Sequence, residues 1–251
     1  MRLGKIVLAG YFKSLYQRTM TEAYAQASRE IISTLKELGG PCLDCGADSG
    51  GWFERLAAEL NLERSQYYGL EWNGDAVAIA RQKQLNVQHA NLNQKLPFEA
   101  DSFNCIFALS VLEHLLNGCQ FLREAKRALK PGGKLVILTP NISTYFTAAL
   151  ILAGRMPSSG PHPDSDLFNQ TQEIFKVSPE ELQWDTETDT PVHRHLVVFS
   201  FLALKKYLNL LGFSNVTGYG FGLYPLPNFL QPIAEKIDPY HCHQMVFVAQ
   251  K

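Results

Sequence analysis

Short apolar runs and helical stripes take turns along most of this chain. The runs cover residues 41–45, 67–71, 87–92, 101–109 and 134–139, and read as strands. Between them, residues 51–60, 75–84 and 117–130 repeat apolar positions at helical spacing, as in Phe121, Leu122, Ala125 and Leu129. Another such stripe precedes them all. Glu22 to Leu38 carries Ala25, Ile32 and Leu35 among its apolar positions and stops at Gly39-Gly40. Asp75 is the expected N-cap of its helix, and Pro131-Gly132-Gly133 is the expected stop between helix 117–130 and strand 134–139. Near the C-terminus Ser200 can cap a helix bearing Phe201, Leu204, Leu208 and Leu211, which Gly212 ends. Strands then follow near 216–220 and 244–249.

This alternation predicts an α/β protein with a seven-stranded, mostly parallel sheet and helices on both faces. Ligands in such sheets bind beyond the C-terminal ends of strands. One stretch breaks the rhythm. Residues 141–198 hold a short apolar helix candidate (Tyr145 to Leu152), a passage rich in proline and serine, and an acidic stretch from Asp185 to Asp189. A connection this long inside a compact domain is expected to be functional, a lid or substrate-side insertion after the fifth strand; an exposed surface loop is the alternative. The chain reads as one domain over 1–251, with residues 1–40 as an N-terminal helical segment.

Composition narrows the partners. A formal charge of −1 and a pI near 6.7 give no global field toward nucleic acid or an anionic membrane. No apolar run reaches the roughly 20 residues that span a bilayer; residues 146–153 are too few, and 195–211 are broken by Lys205-Lys206. The first ten residues are basic then apolar, without the cleavage site of a signal peptide. Five cysteines, an odd number, suggest reduced thiols and a cytoplasmic setting. Cys42-Leu43-Asp44-Cys45 spells C-x-x-C, but along a strand its two thiols point to opposite faces, so core packing is the expectation. His241 and His243 would share one strand face, yet no matching ligand lies near except Asp238; no metal is expected.

The candidate chemistry sits at strand ends. Leu43 to Gly50 joins a strand to a helix through a glycine-bearing turn, where a ligand can approach backbone closely. The next run, Tyr67 to Leu70, ends in Glu71, a carboxylate placed to accept hydrogen bonds from ribose hydroxyls. Together they suggest a cofactor that contains a nucleoside. A nicotinamide dehydrogenase would need G-x-G-x-x-G, and the second and third glycines are absent.

From about residue 40 onward the chain resembles the class I S-adenosylmethionine-dependent methyltransferases, especially the subgroup that includes the ubiquinone- and menaquinone-biosynthesis methyltransferases. The resemblance is carried by Asp44-x-Gly46-x-x-x-Gly50, Glu71, Leu96-Pro97-Phe98, Ser102-Phe103-Asn104, Val111-Leu112-Glu113-His114-Leu115, Leu129 to Gly133, Thr139-Pro140-Asn141 and the segment from His193 to Phe213. It implies a Rossmann-like fold, S-adenosyl-L-methionine as cofactor (with S-adenosyl-L-homocysteine as product) and methyl transfer to a small-molecule acceptor whose reacting atom, O, N or C, stays open. Cofactor-binding positions would be Asp44, Gly46, Ala47, Gly50, Glu71, Trp72, Asn91, Leu92, Leu109 and His114. Trp72 would lie along the adenine, or else be a partly buried surface aromatic. Asn91 and Leu92 would line the adenine edge, and Leu109 would back the methionine portion.

Three positions depart from the family's pattern. Asp48 stands where many members have glycine, Asn91 where Asp is frequent, and Asn104 where an Asp is common near the start of the fourth strand. The first two keep an alternative in view, an inactive S-adenosylmethionine-binding subunit or scaffold; the third reads as structural. His114 is a candidate catalytic base, with a neutral-range pKa suited to it; alternatively Glu113 and His114 cap the next segment and shape the pocket. His193 is a second candidate, beside Arg194 and His195. The acceptor is expected over the fourth and fifth strands, near Tyr11, Phe12, Tyr16, Tyr145, Phe146 and His193.

Overall fold

A computed structural model describes residues 2–157, 160–161 and 194–251, with side chains from residue 10. Its strands are β1 (Cys42–Cys45), β2 (Tyr67–Glu71), β3 (Asn86–His89), β4 (Phe103–Leu109), β5 (Leu129–Pro140), β6 (Ser214–Phe221) and β7 (Gln244–Gln250). They form one sheet in the order β3-β2-β1-β4-β5-β7-β6. β7 alone runs antiparallel, against both β5 and β6. The chain order reverses between β1 and β4, which places a topological switch point at their C-terminal ends.

Two apolar layers hold the helices to the sheet. On one face α1 (Arg2–Leu38), α2 (Gly51–Leu60) and α3 (Gly74–Gln82) bury Ile31, Leu56 and Val77 against Cys42, Tyr67 and Phe107. On the other face α4 (Gly118–Ala128) and α6 (Phe201–Leu210) bury Phe121 and Leu204 against Leu43, Cys45 and Ile106. Cys42 and Cys45 therefore belong to opposite layers, as strand alternation requires, and both are free, buried thiols. α5 (Tyr145–Leu152), where the apolar pattern predicts it, meets the end of α7 (Gln231–Ile237) through the Tyr145 hydroxyl, which donates to Asp238 (2.7 Å).

Several element boundaries differ from the sequence expectation, each for a local reason. α1 begins at Arg2, some twenty residues before Glu22, and its buried stripe, Leu15, Thr19, Ala23, Ala27, Ile31 and Leu35, repeats every fourth residue and carries the pattern back past Glu22 through a threonine. Thr19 hides its hydroxyl by donating to the Leu15 carbonyl (2.8 Å), so it packs as an apolar residue. The cap of α3 is Asn73, whose Oδ1 accepts from the amides of Asp75 (2.9 Å) and Ala76 (3.3 Å), and not Asp75 itself. β3 stops at His89 instead of running to residue 92, since Asn91 turns the chain by accepting the Asn93 amide on its side chain (3.0 Å). β5 starts at Leu129, paired with Phe103; the ladder then slips across Pro131-Gly132-Gly133 and resumes at Lys134 opposite Cys105. The glycines make an irregularity inside a strand, not a separator before one. Among the described residues no helix is long and apolar enough to cross a membrane.

Candidate active site

The loop after β1 is built from three left-handed residues. Gly46 (φ 84°), Asp48 (φ 45°) and Gly50 (φ 81°) alternate with ordinary ones, so the chain coils tightly before α2. The amides of Gly46 and Ala47 both donate to the Leu70 carbonyl (2.8 and 3.1 Å), tying the loop to β2. A methyl group on Gly46 would collide with Cγ2 of Val111, which follows β4, and one on Gly50 would collide with Cδ1 of Leu85. Asp48 occupies a conformation that favours glycine and that Asp tolerates better than most residues. The departure at this position thus keeps the backbone shape and adds a carboxylate.

That shape fixes the carboxylate of Glu71 at the end of β2. Its Oε2 accepts the Asp48 amide (2.9 Å) and its Oε1 accepts the Asn73 amide (2.8 Å). Beneath the loop lies Asp44, only 2% exposed, accepting the Tyr67 hydroxyl (2.6 Å). Burial pushes the Asp44 carboxyl up to about 7, the Tyr67 hydrogen bond opposes this, and the charges of Glu71 and Asp48 add to it. Three carboxylates thus gather around one loop, and among the described residues no ion pair engages them. A cationic ligand with hydroxyl groups suits this site.

The other predicted cofactor positions fall around it. Ala47 is buried in the loop and Leu109 is half-buried at the end of β4. The Ala90 amide donates to the Glu71 carbonyl (2.9 Å), bringing the Asn91-Leu92 turn beside β2. Asn91 Oδ1 is occupied by the amide and side chain of Asn93 (3.0 and 3.1 Å), while Leu92 is buried. Trp72 is 65% exposed and stacks on His89 with 5.3 Å between ring centroids. An exposed indole at the end of β2 is compatible with either expectation for it.

Across the switch point, the 3₁₀ turn Leu112–His114 follows β4. Glu113 is buried and accepts the Thr139 hydroxyl from β5 (2.9 Å); burial lifts its carboxyl to about 7 against that hydrogen bond and one from its own amide. Its carbonyl accepts the amides of Leu196 and Val197 (2.7 and 3.3 Å). His114 Nδ1 contacts the Arg194 carbonyl (3.0 Å), and its ring lies edge-on to His195 at 5.3 Å. Residues 194–197 are therefore strapped across this turn. Ligand atoms of Glu113, His114 and His195 all lie within 4.8 Å of one another, a cluster that the sequence does not assemble by itself. Its signal is present as two separate phrases, Glu113-His114 and His193-Arg194-His195, but nothing local joins them.

The expected aromatic wall forms in part. Phe12 meets Phe146 (5.4 Å) and Tyr224 (6.4 Å), and Tyr11 packs edge-on to Phe12 (5.7 Å). Tyr16 and Tyr224 both contact His243 (6.0 and 4.9 Å), whose burial lowers its imidazole to about 4 and keeps it neutral. Tyr145 points elsewhere, stacked on His241 (4.5 Å) and bonded to Asp238. His241 and His243 are not two ligands on one face: His241 ends a 3₁₀ turn and takes Asp238, while His243 turns inward. Tyr224 and His243 join this wall without any sequence signal for it. His193 and most of the 141–198 insertion lie outside the described residues.

A mostly parallel sheet with this strand order, one antiparallel strand and a carboxylate-anchored loop at the switch point is the Rossmann-like architecture expected of a class I methyltransferase. Residues 16–217 match the model of a methyltransferase-domain family, and the chain belongs to that family. It is 33% identical over 161 residues to a ubiquinone/menaquinone biosynthesis C-methyltransferase of Geotalea daltonii, covering 55% of this chain and 68% of that protein. It is 26% identical over 172 residues to a demethylmenaquinone methyltransferase of Lactiplantibacillus plantarum, covering 62% and 68%. The fold is shared with an S-adenosylmethionine-dependent methyltransferase from Mesorhizobium loti (TM-score 0.55, 19% identity, 89% and 96% of the two chains). Another, from Archaeoglobus fulgidus, has a TM-score of 0.52 at 16% identity, over 89% and 94%. The protein is an S-adenosylmethionine-dependent methyltransferase, and the acceptor carboxylates of Asp44, Asp48 and Glu71 fit that cofactor's cationic amino-acid end and its ribose hydroxyls.

Proposed function

We propose that this enzyme methylates a small molecule with an aromatic or lipophilic body, within a reducing, cytoplasmic compartment and without a nucleic-acid partner. The observation that carries the cofactor half is the Glu71 carboxylate, held at both oxygens by the Asp48 and Asn73 amides at the end of β2. Each oxygen keeps acceptor capacity for a ribose hydroxyl. Gly46, Ala47 and Gly50 shape the loop around the amino-acid end, Asp44 underlies it, Trp72, Asn91 and Leu92 flank the adenine, and Leu109 backs the methionine portion. When bound, S-adenosylmethionine supplies a methyl group on a sulfonium. The chain's part is to hold an acceptor in line with it.

For the acceptor, the aromatic cluster of Phe12, Tyr16, Phe146 and Tyr224 beside neutral His243 offers an apolar wall with few polar groups. Quinone-type acceptors in the names of the two relatives agree with such a wall. His114 stands at the rim between the two halves. Five free thiols, three of them pushed well up by burial in β1 and β4, suit a reducing compartment. The test is calorimetry with S-adenosylhomocysteine. Glu71→Ala should weaken binding by about 1.5–3 kcal/mol, the worth of a charge-assisted hydrogen bond. Equal affinities would remove Glu71 from the site, and no binding by the wild type would remove the cofactor assignment.

A further inference from the structure

We propose that Glu113, His114 and His195 form a binding site for a divalent transition-metal ion at the C-terminal ends of β4 and β5. The ligand atoms of the three side chains already lie within 4.8 Å of one another. In a tetrahedral zinc site with metal–ligand bonds of about 2.0–2.1 Å, neighbouring donors are about 3.3 Å apart. Reaching that spacing asks for a small movement of the two half-buried histidines, while Glu113 is held in place by Thr139. Two imidazoles and one carboxylate select zinc, cobalt or ferrous iron over magnesium or calcium, and three protein ligands leave positions open.

The surroundings have the form of a built metal shell. A carbonyl can only accept, so the contact of His114 Nδ1 with the Arg194 carbonyl (3.0 Å) makes Nδ1 the protonated nitrogen, and Nε2 is the ring atom through which His114 would ligate. Metal-ligating histidines characteristically give their second N–H to a carbonyl or carboxylate in this way. Glu113 is likewise oriented by the Thr139 hydroxyl, and the amides of Leu196 and Val197 on its carbonyl fix the strap that carries His195. An ion here would bind at the strand ends where the acceptor is expected, with a free position for an acceptor oxygen. His114 would then serve as a ligand instead of a free base. The site goes beyond the methyl-transfer reading and does not depend on it.

The probe is cobalt(II), titrated into the untagged, chelator-treated full chain and followed by its visible d–d absorption, with zinc(II) as competitor. One equivalent should bind, zinc should displace it, and His195→Gln and His114→Ala should each weaken binding by at least the roughly 10–100-fold that loss of an outer-shell partner alone costs. His241→Ala, which alters the separate His241–Asp238 pair, should leave binding unchanged. Circular dichroism and S-adenosylhomocysteine calorimetry on His195→Gln establish that the variant is folded; a zinc-induced rise in Tm for the wild type, missing in that variant, is the second readout. No stoichiometric binding by the wild type, undiminished binding by His195→Gln, or loss of the same equivalent in His241→Ala overturns the proposal.

Discussion

The two halves of the proposed cleft are made differently. The cofactor half, at the ends of β1, β2 and β3, is a matter of backbone: left-handed residues at 46, 48 and 50, paired amides on the Leu70 carbonyl, and a carboxylate anchored by two neighbouring N–H groups. Its contacts join residues within about one strand-helix unit. The half proposed for the acceptor is a matter of side chains drawn from distant stretches, with Phe12 of α1 against Phe146 of α5 and Tyr224 near the C-terminus. A site made of backbone conformation tolerates few changes and serves one ligand. A site made of packed rings can change its ligand by changing rings, while the first half stays as it is.

The largest effect that would break this contrast concerns Asp44. Its carboxyl is lifted from 3.8 to about 7 in the folded protein, so the folded state holds a proton that the unfolded state releases. The resulting stability is fully present below pH 3.8 and is lost as pH rises through about 7. A tenfold change in proton affinity is worth about 1.36 kcal/mol, so ionising Asp44 in the fold costs up to about 4 kcal/mol. Asp44→Asn keeps an acceptor for Tyr67 and removes the charge. Its stability relative to wild type should therefore improve steadily from about pH 4 to about pH 8 in denaturant melts. A difference independent of pH would show that Asp44 is already ionised in the fold, and the loop would lose its buried acid.

Gly46→Ala comes next. The new methyl meets Val111 and the backbone keeps φ at 84°, so the two costs together should reach about 3 kcal/mol. Gly46→Ala/Val111→Ala should recover the steric part but not the conformational part. If the double variant regains everything, the loop's backbone carries no strain and the account of the cofactor half fails. On the other side, Phe12→Ala removes one ring from the aromatic wall. It should raise the acceptor KM by roughly tenfold, about 1.4 kcal/mol, with S-adenosylhomocysteine affinity unchanged. A matching loss of cofactor affinity would mean the two halves are not separable.

The same contrast explains what can be read from the chain. Gly46, Gly50 and Glu71 announce themselves because a strand, a turn and a helix follow one another within a few residues. Capping at Ser200 and the stop at Gly212 are legible for the same reason, and both are found. Asp75 reads as the cap of α3 where Asn73 is the true one, because both can cap and only the backbone decides. The early part of α1 is hidden because Thr19 is buried through a hydrogen bond to its own helix, which a pattern of apolar letters does not register. Tyr224, His243 and the Glu113–His195 strap depend on contacts across long stretches of chain, where no local period connects the partners. Asn104 reads as a structural departure, and the fold supplies the reason. Its Nδ2 donates to the carbonyls of Leu38, Gly39 and Gly40 (2.8, 3.3 and 2.9 Å), which an Asp carboxylate cannot do.

The smallest expected effect tests the position that most separates this chain from its family's pattern. Asp48→Gly would relieve an L-residue at φ 45°, worth up to about 1 kcal/mol, but glycine also returns about as much through the freedom of the unfolded chain. The two nearly cancel, and stability should move by no more than about 0.5 kcal/mol. The hydrogen bond from residue 48 to Glu71 is made by the backbone amide, so it survives the substitution. What goes is one exposed carboxylate near the place proposed for the cofactor's cationic end, and charges in water interact there by about 1 kcal/mol or less. S-adenosylmethionine affinity should therefore fall by a few-fold at most, and the fall should shrink as salt is raised. Side-by-side calorimetry at low and high salt measures both. A large gain in affinity on Asp48→Gly would instead mean that the carboxylate obstructs the loop, and would revive the picture of a cofactor site that has been partly dismantled.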